Sequence, residues 1–138
     1  MAITKKVNRQ TTVDAIVDFT FSDLLGTSGV YQVAVDLPAK AIVIGSRIHM
    51  DTAFNSGTSD TFSIGDKVGS AAAVTTTFSA AAAIAAGAAQ VGTLLGKKMT
   101  SAGSIGITWT GVGAAPTAGA GRMVVGYIID GRASFSQG

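Results

Sequence analysis

The sequence predicts an all-β fold: an antiparallel β-sandwich, jelly-roll-like, with an N-terminal arm and an Ala-rich irregular segment. Apolar residues recur at every second position through most of the chain, the period of a strand with one buried face. Clusters of Gly, Pro, Ser and Asn (GTSG, LPAK, NSGTS, TSAGS, GVGAAPTAGAG) separate these runs, as turns separate the short strands of a sandwich. The Ala-rich segment Ala71 to Gln90 lacks the charged face that a surface helix would carry.

The residues before Thr12 have no core pattern, so 1–11 is read as an arm and 12–138 as one sandwich domain. In TVDAIVDFTF, Val13, Ala15, Val17, Phe19 and Phe21 share a face opposite Asp14, Asp18 and Thr20. VYQVAVDL places Tyr31, Val33, Val35 and Leu37 together. AIVIGSRIHM predicts Ile42, Ile44, Ile48 and Met50 on one side, with Arg47, His49 and Asp51 on the other as a surface charge cluster. Phe62 and Ile64 follow, then Ile105, Ile107 and Trp109. In RMVVGYIID, residues Val124, Val125, Tyr127, Ile128 and Ile129 are apolar on both faces, which predicts a strand covered on both sides.

The Ala-rich segment Ala71 to Gln90 contains the best helix former but also a Thr triplet and an internal Gly. It reads as irregular with a helical turn or two; its low complexity also admits a mobile loop.

With 138 residues the chain suffices for one domain with a core. It has no cysteine, which excludes disulfides and thiolate metal sites and is compatible with a reducing cytoplasm. MAITKKVNRQ lacks the apolar run of a signal peptide, and no segment has the large apolar residues of a membrane span. A net charge of +2 without a basic run gives nucleic acid little to bind. Between Val68 and Gly121 the only charged residues are Lys97 and Lys98, so that stretch is either covered by another copy or forms a neutral surface.

Chemistry is poorly supplied. There is one histidine, His49, with no cysteine, no glutamate and no GxSxG elbow. GVGAAPTAGAG lacks the Gly-Lys-Ser/Thr ending of a phosphate loop and reads as a hairpin connection. In FNSGTSDTFSIGD, the oxygen donors Asn55, Asp60 and Asp66 lack the alternate spacing and closing acid of a calcium loop. A hairpin burying Phe62 and Ile64 needs only the turn residues present. Trp109 and Tyr127 fall on alternating strands, leaving Phe54 as the aromatic best placed for a sugar. No enzyme, cofactor or metal site is expected.

The order of LPAKAIVIGSRIHMDTAFNSGTSDTFSIGD, GSIGITWTG and APTAGAGRMVVGYIID, from Val30 to Arg132, resembles the small capsid decoration (cement) proteins of tailed bacteriophages. The resemblance implies a jelly-roll-like domain, made in the host cytoplasm, that forms homotrimers on the outside of an icosahedral virion. It also implies the major capsid protein as partner and a mechanical role, bridging capsid subunits. The arm residues Lys5, Lys6 and Arg9 become capsid-contact candidates, able to meet an acidic surface or add a strand to an exposed edge. A carbohydrate- or receptor-binding sandwich of a phage fibre or tail is the alternative.

Overall fold

The computed structural model of the chain describes residues 8–69, 86–87, 89–91, 96–132 and 135–136. Within them the alternation becomes two antiparallel sheets packed face to face. The strands are β1 (Asn8–Arg9), β2 (Val13–Thr20), β3 (Tyr31–Leu37), β4 (Ala41–Thr52), β5 (Ser59–Val68), β6 (Ala89–Val91), β7 (Gly103–Val112), β8 (Ala120–Ile129) and β9 (Phe135–Ser136). The order is β2-β8-β4-β6 in one sheet and β3-β7-β5 in the other, while β1 and β9 pair separately. A single helical turn, α1 (Phe21–Leu24), follows β2. Asp23 closes it by accepting from Thr20 N and Thr20 Oγ1, each at 2.8 Å.

The inner faces supply the core. Phe62, Ile64, Ile105, Ile107 and Trp109 come from one sheet and Phe19, Val43, Ile48, Met50, Met123 and Val125 from the other, all buried. Leu24 closes one end and Met99 the seam beside β4. Each such side chain contributes about 1.5–3 kcal/mol by leaving water.

Two bulges correct the simple alternation. The β4–β8 register shifts between Val43 and Gly45, so Ala41 and Val43 face inward before the bulge and Ser46, Ile48 and Met50 after it. Ile44 is exposed and Ile42 half-buried, instead of both joining Ile48. A second shift between Val33 and Val35 turns Val33 to solvent and leaves Ala34 against the core. One extra residue reverses every side chain on one side of it, and a period count cannot locate that residue.

The last long strand is also corrected. β8 is flanked on both edges, by β2 and β4, and its two faces are covered unequally: Met123 and Val125 are fully buried, whereas Val124 and Ile128 are only partly buried.

The two expected hairpins are crossings between sheets. Residues 53–58 join β4 to β5 and 113–119 join β7 to β8, and in each case the strands lie in different sheets. The loops are laced together, with Gly57 N bonding Ala114 O at 2.9 Å and Asn55 Oδ1 accepting from Thr117 N and Ala118 N at 2.8 and 3.0 Å. Gly119 has φ +150°, and a Cβ there would strike the Phe54 ring, so the crossing needs glycine.

Of the Ala-rich segment, Ala86–Gly87 is a turn and Ala89–Gln90 belongs to β6, paired with β4; residues 71–85 and 88 lie outside the described residues, with the helical turns expected there.

Candidate assembly surface

The outer face of the four-stranded sheet is built in rows by cross-strand register. Asp18 lies opposite Arg122, and Arg122 opposite His49. Next come Ile16, Val124 and Arg47, then Asp14 beside Gly126. The β4 pattern brings His49 and Asp51 together, with Nε2 3.4 Å from Oδ1. Pairing adds two residues that the local pattern could not supply. Arg122 reaches Asp51 Oδ2 through Nη2 at 3.5 Å and Asp18 Oδ1 through Nε at 3.6 Å. Arg47 is exposed and forms no ion pair among the described residues. These partly exposed pairs each contribute at most about 1 kcal/mol, so they set charge pattern more than stability. Arg122 was legible only as a charged residue starting a strand; its partners lie about 70 to 100 residues earlier, joined by β8's position between β2 and β4.

The three oxygen donors of the FNSGTSDTFSIGD stretch are separately engaged. Asn55 holds the 117–118 backbone. Asp60 accepts from Ser56 N at 2.8 Å, from Ser56 Oγ and from the buried Trp109 Nε1 at 2.9 Å. Asp66 is fully buried, with Lys97 Nζ 3.6 Å from its Oδ2. Among the described residues no group of three or more His, Cys, Asp or Glu could hold a metal.

Phe19, Phe54, Phe62 and Trp109 form one aromatic cluster in the interior. Phe54 packs edge-on to Phe62 at 5.0 Å and lies 5.9 Å from Trp109 and 6.3 Å from Phe19. Tyr127 is half-buried against the core. Tyr31 shares a 3.0 Å hydrogen bond with Ser104 Oγ; burial raises its phenol pKa, a shift that this hydrogen bond opposes.

At the start of β2, Gln10 works as a clamp. Its Oε1 accepts from Ile129 N at 2.8 Å, and its Nε2 donates to Ile129 O and Arg132 O at 2.7 Å each. Nearby, Lys98 bonds Asp130 and holds that carboxyl below its ordinary range, by the hydrogen bond first and its charge second. Beyond the clamp, Asn8 pairs with Ser136 and Arg9 with Phe135. Lys5 and Lys6 lie outside the described residues.

The described residues define a two-sheet β-sandwich in which Asp60 braces a loop crossing and Asp18, Arg122, His49 and Asp51 pair on a sheet face. No protein-family model and no curated protein matches the sequence. Solved structures do share its fold. The capsid of Ralstonia phage GP4 aligns over 96% of this chain and 92% of that one, at 18% identity and a TM-score of 0.65. The capsid asymmetric unit of cyanophage Pam1 aligns over 86% of this chain and 84% of that one, at 20% identity and a TM-score of 0.58. At such identities the likeness is one of fold.

Proposed function

We propose that this chain is a structural protein of a phage virion, binding the outside of an icosahedral head as a homotrimer and stabilising the shell by bridging major capsid subunits. The observation that carries this reading is the end-to-end match to a chain of the GP4 capsid, with 96% of one and 92% of the other aligned. The order of sequence motifs from Val30 to Arg132 points the same way and supplies the decoration role.

The surface supports assembly over catalysis. Val13, Ile16, Leu25, Val30, Val33, Ile44 and Val112 are large apolar side chains left exposed in a single copy. Residues 1–11 form the arm in this reading, with Lys5, Lys6 and Arg9 placing positive charge within reach of an acidic neighbouring surface. The alternative, a glycan-binding fibre or tail sandwich, is disfavoured because Phe54 and Trp109 pack into one aromatic cluster.

Occupancy on phage heads lacking the protein tests the reading, using the full chain and one without residues 2–10. Full-length protein is expected to fill the heads and raise their resistance to heat, and the truncated chain to fill them less. If folded full-length protein never binds heads, the reading is wrong.

A further inference from the structure

We propose that the free edge of β2, with the groove beside it, docks an extended segment of a different protein as an added strand, one that alternates aliphatic and cationic side chains. The proposal rests on the virion reading above and names the chemistry of the shell segment that this chain would hold.

β2 ends its sheet: among the described residues it pairs with β8 alone, in unbroken register from Val13 to Thr20. It has no proline and no bulge, so its outward N–H and C=O groups form a regular template for a further strand. β3, which ends the other sheet, carries the bulge at Val33/Val35 that interrupts such a template.

Between these two edges lies a groove of about 200 Å³, with Val17, Leu24, Val33, Ile107 and Met123 in its lining. Val33 is 57% exposed there. Every second side chain of a strand added to β2 falls over this groove, which takes aliphatic residues. The others fall beside Asp14, Ile16 and Asp18 on the outer face, where Ile16 is 62% and Asp18 74% exposed. Asp18 and Asp23 also line the groove, with no cation among the described residues of the lining. Opposite charges set directly across a sheet favour it, so the residues facing Asp14 and Asp18 are cations.

The β2 strand of a second copy does not supply that chemistry. With Ile16 antiparallel to Ile16, each Asp14 opposes an Asp18; shifted by two residues, Ile16 opposes Asp18. The first register sets like charges together, and the second leaves carboxylates against an aliphatic. A different protein is therefore the occupant.

The probe is a capped peptide, Val-Lys-Val-Ile-Val-Lys-Val, whose pattern is the same in either direction. Amide hydrogen exchange of the full chain should show the fast-exchanging amides of Val13–Phe19 slowed at least tenfold by the peptide. Its counterpart with glutamate for lysine should bind at least tenfold more weakly at low salt. Asp14→Lys with Asp18→Lys should invert that preference, and the milder Asp14→Asn with Asp18→Asn should erase it. Asp51→Lys with Asp130→Lys, an equal charge change elsewhere, should leave it within about twofold. If every β2 amide is already slow in the free chain, the same chain covers the edge. If slowing follows protein concentration without peptide, a second copy covers it. Either result overturns the proposal, as do equal affinities for the two peptides or a preference untouched at Asp14 and Asp18. On heads, Asp14→Lys with Asp18→Lys should weaken binding at least tenfold. Heads filled equally by this variant and the parent overturn the proposal and leave the virion reading standing. A chain that holds the lysine peptide along β2 but never fills heads keeps the strand site and overturns the virion reading.

Discussion

The indole Nε1 of Trp109 donates to Asp60 Oδ1 at 2.9 Å, inside the sandwich and across the pairing of β7 with β5. The same carboxylate accepts from Ser56 N and Ser56 Oγ, so one side chain ties the inter-sheet crossing to the core aromatic. Asp60→Ala would leave a buried indole donor without its acceptor. A loss of about 2–4 kcal/mol is expected, since hydrogen bonds to charged groups exceed neutral ones. Trp109 is the sole tryptophan, so its fluorescence and near-ultraviolet dichroism during urea unfolding report the change directly. An unchanged midpoint would show that the bond adds nothing.

Phe62 is 1% exposed and touches both Phe54 and Phe19 through its ring. Phe62→Ala should cost about 3–5 kcal/mol, the range for emptying a packed aromatic site. Calcium titration of the parent protein should give no specific heat, because Asp60 and Asp66 are separately engaged. A site lost on Asp60→Asn or Asp66→Asn would reverse that expectation.

Lys97 brings a positive charge within 4 Å of the fully buried Asp66. Its segment is fixed to β4, with Val43 N donating to Lys97 O at 2.9 Å. Lys97→Met keeps the stem but removes the charge. Destabilisation should fall at the lower end of about 3–5 kcal/mol, because the lysine side chain is 35% exposed and keeps part of its hydration. Thermal unfolding of K97M beside D66N measures it; an unshifted K97M would make the pair incidental.

Two carboxyls and one phenol set opposite pH limits. Thr20 holds Asp23, and Lys98 holds Asp130, below the ordinary carboxyl range in the folded chain. Their contribution is full above that range, near pH 4, and is lost as pH falls through the depressed folded values. Burial raises Tyr31, so its contribution is full below about pH 10 and is lost as pH rises through the raised folded value. Asp23→Asn and Asp130→Asn should flatten the acid limb of a stability–pH curve, and Tyr31→Phe the alkaline limb. Limbs unchanged by these substitutions would assign the pH dependence to other groups.

Much of this architecture was legible in the chain itself. Apolar residues at Ala15, Val17 and Phe19, and at Phe62 and Ile64, marked strands with one inward face, because a pleated backbone sends successive side chains to opposite sides, although Val13, read on the same face, is exposed. The presence of one histidine and no cysteine or glutamate narrowed the chemistry before any distance was known. His49 and Asp51 were likewise joined by local spacing alone. Tertiary structure decided what depends on which strand meets which. It turned Ile44 outward through a bulge and made crossings of the two expected hairpins. It also brought Arg122 to Asp18 and Asp51, and Lys97 to Asp66, from distant parts of the chain. The physical reason is that a strand's period fixes its faces, whereas its neighbours follow from how two sheets bury those faces together.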